Sequence, residues 1–336
     1  MQKFDVEVDL SDVPGLEHGL RSAATVYLPD NVEPPTIVLV EYPGSAFNRK
    51  YFDISAKPGY SEAAYHVKHG FVVVAVDHVR IGDSTPCDLF GLTLENMAAA
   101  NHRTATAVLD RLREGSIADG VAPIQIEKVI GAGQSMGGCL LTVQQANHRT
   151  FDAIALLGWS AIHEDMPSPD GNRSTLAAWL PRDMDLRTLA SMEANPASGV
   201  DEDQVARVRY GMHWHEDDTE LVDMSLQNMS ADPALVHLLP DWRTIVIPAC
   251  CGQMMAPGVV EPEAAQIECP ILIVCGEVDC VADPHAEPAL YPQSSDVRVV
   301  VVERMAHMHN FAETREKFWV HIEDFAHSVR AREMRH

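Results

Sequence analysis

Six short aliphatic runs constrain this chain more than any other feature: "PTIVLVEY", "FVVVAVDH", "IEKVIGAG", "FDAIALLGW", "CPILIVCGEVD" and "VRVVVVERMAH". Apolar almost throughout, they read as strands buried on both faces, and such strands need helices packed on both sides of their sheet. Stretches of helical periodicity lie between most of them. "SEAAYHVKHG" has Ser61 as N-cap and Gly70 as its stop, and "TLENMAAANHRTATAVLDRLREG" begins at Thr93 or Asn96. "MGGCLLTVQQANH" follows the third run, and "NFAETREKFWVHIEDFAHSVRA" closes the chain as an amphipathic helix. "KFDVEVDL" and "AATVYL" add an opening pair of strands. The expected fold class is α/β: a mostly parallel eight-stranded sheet with helices on both faces.

The rhythm breaks between Trp159 and Pro270, where eight of the fourteen methionines and three of the five tryptophans lie. The expected organisation is therefore a core in two parts, residues 1–160 and 269–336, with a large inserted cap or lid, residues 161–268, over the C-terminal edge of the sheet. Methionine is flexible and polarisable, so the inserted segment suits an adaptable apolar pocket.

A net charge of −24 repels phosphate backbones and anionic lipid, which argues against nucleic acid and membrane partners. No apolar stretch reaches 18 residues, and "MQKFDVEVDL" lacks the apolar core of a signal peptide. Seven scattered cysteines, an odd number without a C-x-x-C pair, read as reduced thiols of a cytoplasmic protein. A small-molecule partner remains, with homo-oligomerisation open.

"GAGQSMGG" places Ser135 between a buried strand and a helix, within Gly133-Gln134-Ser135-Met136-Gly137. A strand that reverses sharply into a helix strains its turn residue and leaves no room for side chains two positions before and after it. It also sets a hydroxyl above the positive end of the helix. In this setting the chain resembles the α/β-hydrolase superfamily, and within it the capped serine hydrolases of esterase and lactonase type. "DHVRIGDST" resembles the superfamily's D-x-x-G-x-G-x-S turn, with Arg80 in place of the first glycine, and "YPGSAFN" stands where the family keeps a His-Gly oxyanion loop.

The resemblance implies a nucleophile elbow and a catalytic triad in the order serine, acid, histidine. Ser135 is then the nucleophile. His307, in "ERMAHMHNFAE", is the base, with His309 as its rival. Asp279, in "CGEVDCVADP", is the acid. Asp283 reads as a cap of the next turn, while Glu164 and Asp165 in "GWSAIHED" stand where some relatives carry the acid. The oxyanion hole falls to the amides of Met136 and Ser45, with Ala46 as alternative, and Gly44, Ala46, Trp159 and Trp214 are the candidate substrate-binding residues.

The implied activity is cofactor-free cleavage of a carboxylic ester or lactone through an acyl-enzyme on Ser135. The same triad could serve a carbon–carbon bond hydrolase of anionic ring-cleavage products, with Arg80, Arg49 and Arg173 as the basic candidates. It could also serve an acyltransferase or perhydrolase, and a ligand-binding receptor on a hydrolase scaffold is the non-enzymatic reading. "MHWHEDD" invites a metal reading through His213, His215 and Glu216, but i and i+2 positions of a helix face apart, so no metal is expected.

Overall fold

The computed structural model describes residues 1–174, 179–190, 202–229 and 232–333. Eight strands form one sheet: β1 (Gln2–Asp9), β2 (Arg21–Leu28), β3 (Thr36–Tyr42), β4 (Val72–Val76), β5 (Ile126–Gln134), β6 (Ala153–Leu157), β7 (Ile271–Val278) and β8 (Val297–Ala306). Their spatial order is β1-β2-β4-β3-β5-β6-β7-β8. β2 pairs antiparallel with both β1 and β4, and every other pairing is parallel. The sheet is mostly parallel, as the aliphatic runs require.

Alternate residues of each run serve opposite faces. Val38 and Val40 of β3 pack with Val72, Val74 and Val76 of β4 beneath α2 (Leu94–Glu114) and α3 (Met136–His148). Ile37, Leu39, Val73 and Ala75 face α1 (Glu62–Lys68) and the long C-terminal helix Arg315–Glu333. With apolar side chains on both faces, these strands leave water only at the sheet's ends, where loops can build a site.

The helix starts follow their caps. The Ser61 hydroxyl accepts from Ala64 N–H, and Thr93 and Asn96 form a reciprocal capping box that resolves the ambiguous start of α2. The C-terminal helix starts at Arg315, later than its sequence pattern implies, because His309–Phe311 form a tight 3₁₀ turn. There Asn310 accepts from the Trp319 indole and donates to Glu62. β8 carries an irregularity between Val302 and Ala306, with Arg304 at φ 56°, which re-aims the chain just before the histidine loop.

Between β6 and β7 the chain leaves the sheet. It forms a two-stranded pair, Met166–Pro167 with Arg173–Ser174, then α4 (Glu202–Met212), α5 (Thr219–Ser225) and short helical turns. All seven cysteines are free.

Candidate active site

Ser135 stands between β5 and α3 at φ 51° and ψ −116°, a region that costs a residue with a side chain about 1–3 kcal/mol. The glycines around it have no room for a methyl group. A Cβ on Gly133 would collide with the Gly137 carbonyl oxygen, and one on Gly137 with that of Tyr42. Strand, turn and helix are in backbone contact there, and Ser135 is held over the helix N-terminus.

The turn after β4 keeps its shape despite its missing glycine. Arg80 takes φ 74°, and Gly82 at φ 58° passes so close to Asp77 that a Cβ would collide with the carboxylate. Asp77 accepts from the backbone N–H of Arg49 and Asp83 and from the Arg49 guanidinium. That network fixes the start of the segment after Ser45.

His307 follows β8 and is buried. Its Nδ1 lies 2.7 Å from Asp279 Oδ1. An ionised carboxylate only accepts, so Nδ1 carries the proton and Nε2 presents a lone pair. The side-chain amide of Gln134 donates towards that lone pair at 3.2 Å. Burial pulls the imidazole towards neutrality, but the adjacent Cys280 sulfur and Asp279 carboxylate outweigh it and hold the pKa above the ordinary value. Asp279 accepts from Gly276 N–H at 2.8 Å, Cys280 N–H at 2.7 Å and, on Oδ2, His309 Nε2 at 2.9 Å. Burial alone would favour its neutral acid; the two histidines overcome that and hold it well below the usual carboxylate range.

Ser135, His307, Met136, Ser45, Ala46 and Trp159 line one cavity of about 460 Å³, closed by the segment between β6 and β7. Among the described residues, neither the Ser45 nor the Met136 amide donates to another backbone carbonyl. Seven methionines line the walls, and among the described residues Glu164 and Arg243 are the only Asp, Glu, Lys or Arg side chains there. Burial pushes the Glu164 carboxyl up to about 8, so at neutral pH it is an uncharged donor. Burial drives His213 down to about 3, leaving it neutral.

Other candidates fall elsewhere. Trp214 lies outside the cavity: its backbone N–H donates to Asp217 and its indole turns to Glu216 and His215. Gly44 backs the wall, where a Cβ would strike the Gln134 side chain. His309 does not line the cavity; it is buried against Phe318 and spends its Nε2 on Asp279. Asp165 pairs with His163, Asp283 caps the turn at His285, and no hydrogen bond joins Glu164 to His307. Arg49 is bound to Asp77 and Asp83, Arg173 to the carbonyls of Asp165 and Asp279, and none of Arg49, Arg80 and Arg173 reaches the cavity. His213 bonds Ser225 while Glu216 pairs with Arg304, so the "MHWHEDD" groups do not converge.

Two groups among the described residues are compact enough to offer three ligand atoms to a cation: Asp279, Cys280 and His307, and Glu41, Glu62 and His66. In the first, Asp279 and His307 already satisfy each other. In the second, burial, and then the neighbouring Glu62, push the Glu41 carboxyl well above its ordinary value. His66, despite burial, is raised to about 9 by Glu323 and Glu62, so an imidazolium supplies the positive charge.

Gln134, Cys280 and Gly158 were not legible as site residues, and Glu164 was legible only as an alternative acid, not as a neutral wall of the cavity. Gln134 and Cys280 adjoin predicted residues, which was the available signal. Gly158, at φ 57°, leaves space for the His307–Asp279 pair: a Cβ would sit 3.1 Å from His307 Nδ1 and 3.2 Å from Asp279 Oδ1.

The chain belongs to the alpha/beta hydrolase family, whose model matches residues 37–318. No curated protein matches it in sequence. Among solved structures it is similar to the proline iminopeptidase of Mycobacterium smegmatis, with a TM-score of 0.61 and 18% identity over 98% of this chain and 99% of that one. The esterase EaEST of Exiguobacterium antarcticum superposes with a TM-score of 0.59 at 16% identity, covering 92% and 96%. The N-acyl homoserine lactonase AidH gives 0.56 at 13% identity, covering 98% of each chain. At such identities the likeness is one of fold.

Proposed function

We propose that the protein is a serine hydrolase that cleaves a carboxylic ester or lactone through an acyl-enzyme on Ser135. One observation carries this reading: a strained serine at a strand-to-helix turn shares an apolar cavity with a histidine whose far nitrogen is held by a buried carboxylate. The esterase and lactonase among the similar structures support the substrate class.

In this mechanism Ser135 Oγ attacks the carbonyl carbon while His307 Nε2 takes its proton. Asp279 stabilises the imidazolium, and the amides of Met136 and Ser45 receive the oxyanion. Collapse breaks the bond to the leaving oxygen, which takes the proton from Nε2. Water then attacks the acyl-enzyme, giving its proton to the same nitrogen, and the acid departs as the proton returns to Ser135. In a lactone the freed alcohol remains part of the acyl chain, and the second step releases a single hydroxy acid. Residues 161–268 act as the cap, with Ala46 and Trp159 among the walls that hold the acyl chain.

A fluorophosphonate probe should label Ser135, and p-nitrophenyl esters should be turned over without added metal. Ser135→Ala should keep the fold and lose about 10³-fold or more in kcat, since binding and the oxyanion hole alone leave only residual catalysis. Undiminished hydrolysis by a clean Ser135→Ala preparation, or labelling at another residue, defeats the reading.

A further inference from the structure

Arg243 is a guanidinium without an anion. It lines the cavity, yet among the described residues no carboxylate pairs with it. Its hydrogen-bond partners are two neutral carbonyls, Ala46 O and Gln227 O, each at 3.3 Å, and its Nε is buried with no partner among those residues. The group lies 5.1 Å over the Phe47 ring. Burial pulls its pKa to about 10, so it remains a cation at neutral pH.

Among the described residues Arg80 and Arg173 also lack a carboxylate partner, but neither lines the cavity; several other arginines are matched. Arg49 sits on Asp77 and Asp83, Arg182 on Glu263 and Glu95, and Arg304 on Glu216. The chain has 49 acidic residues for 25 lysines and arginines, so acids are in excess, yet none of those described is placed at Arg243. Arg243 is half-buried, and a partly desolvated charge without a counter-charge is stabilised by bidentate pairing with a carboxylate.

Support of the oxyanion loop does not account for the residue. The carbonyl of Ala46 already accepts the Thr244 backbone N–H at 3.0 Å, a shorter bond than the one from Arg243. Glu164, the one carboxyl among the described residues that line the cavity, is uncharged at neutral pH and does not repel an anionic ligand.

We infer that Arg243 is an anion-binding subsite, and that the ester or lactone cleaved at Ser135 carries a carboxylate away from its scissile carbonyl. This rests on the serine-hydrolase reading and deepens it. The carboxylate can sit on the acyl or the alcohol side, and two matched substrate pairs separate these. p-Nitrophenyl hydrogen adipate against p-nitrophenyl hexanoate tests the acyl side. 4-Carboxyphenyl butyrate against phenyl butyrate tests the alcohol side.

The wild-type enzyme should favour the carboxylate-bearing member in one pair. In Arg243→Met, that anionic-to-neutral ratio of kcat/KM should fall on the order of 10²-fold, chiefly through KM, as expected when one partner of a partly buried charge pair is removed. Arg243→Gln keeps donors for the two carbonyls without the charge, and should show the same fall; it serves if the methionine variant does not fold. A wild-type preference for the neutral member in both pairs, or an unchanged ratio in the variants, overturns the proposal. Fluorophosphonate labelling of Ser135 separates this failure from that of the hydrolase reading: labelling that persists without carboxylate selectivity rejects only the subsite, whereas absent labelling rejects the serine mechanism itself.

Discussion

Asp279 is the most heavily bonded side chain of the site, and its second histidine gives it an unusual setting. His307 takes Oδ1 and His309 takes Oδ2, with backbone amides completing the carboxylate. His309 therefore acts through Asp279, as a positioning residue, and does not touch the cavity. His309→Ala should lower kcat about tenfold with KM nearly unchanged, whereas His309→Gln, whose amide nitrogen can take the place of Nε2, should recover most of the loss. An effect on KM alone would return His309 to the pocket wall. Asp279→Asn should cost roughly 10⁴-fold in kcat, because an amide can hold the wrong tautomer and cannot stabilise the imidazolium. The pH profile supplies a second readout. A base works deprotonated, so activity falls as pH drops through the pKa of His307, which the wild-type protein holds above the ordinary value. Without the Asp279 carboxylate, the acid limb should move to lower pH.

At the scale of elements, the turn between β5 and α3 depends on missing side chains. Gly137 lies against the backbone of Tyr42 and Pro43 on β3 and the loop after it, and backbone cannot swing aside as a side chain can. Gly137→Val should abolish soluble folding or, in any folded fraction, displace α3 and remove activity; overpacking of this kind costs about 1–3 kcal/mol or more. Thermal denaturation with parallel fluorophosphonate labelling reads both effects. A methyl group on Gly120 would meet nothing within 4 Å, so that position serves as the comparison site for glycine replacement, apart from its own left-handed φ of 82°. The contrast between the two glycines is one of contact, since composition is the same at both.

At the scale of the molecule, the segment between β6 and β7 is stitched to all three site loops. Thr244 N–H reaches Ala46 O and Asn48 N–H reaches Trp242 O at the oxyanion loop. Asp165 N–H reaches Cys280 O beside the acid, and Met308 N–H reaches Met212 O beside the base. Changes in this segment are thus expected to move catalysis as well as specificity. Three buried groups should cost the fold stability as pH rises. Burial lifts the carboxyls of Asp217 to about 7 and Glu164 to about 8, while His66 stands at about 9. Each binds its proton more tightly folded than unfolded, so its stabilising contribution is present below the unfolded pKa and lost as pH climbs through the folded one. The expected window, bounded by the ordinary carboxylate range below and His66 above, is about pH 5 to 9. Below the ordinary histidine pKa the buried neutral His213 acts in the opposite sense, so the melting temperature should fall over the upper part of the window, from about pH 7 to 9, more steeply than in Glu164→Gln; a flat profile there speaks against these buried protonated groups.

The strands, the first three helices and the serine turn were legible because their signals are local. Aliphatic runs, the caps at Ser61 and Thr93, and the spacing around Ser135 act within a few residues, and backbone sterics and apolar burial translate such patterns directly. The order Ser135, Asp279, His307 was readable through family resemblance, yet their meeting at one end of the sheet is a matter of parallel strands ending together. His309, Glu164, Gln134 and Arg243 show the limit. A histidine two residues from another can face a pocket or the back of a carboxylate, and the period of the sequence is the same in either case; the 3₁₀ turn at His309–Phe311 decided between them. Trp214 was misplaced for a like reason, since a surface turn and a pocket wall use the same residue types. Arg243 carries no motif at all. Its meaning comes from the absence of a carboxylate beside it among the described residues, and that absence depends on which distant residues the folded chain brings near. Local sequence determined the scaffold and its reactive turn, while long-range packing decided which charges are paired and which are left for a ligand.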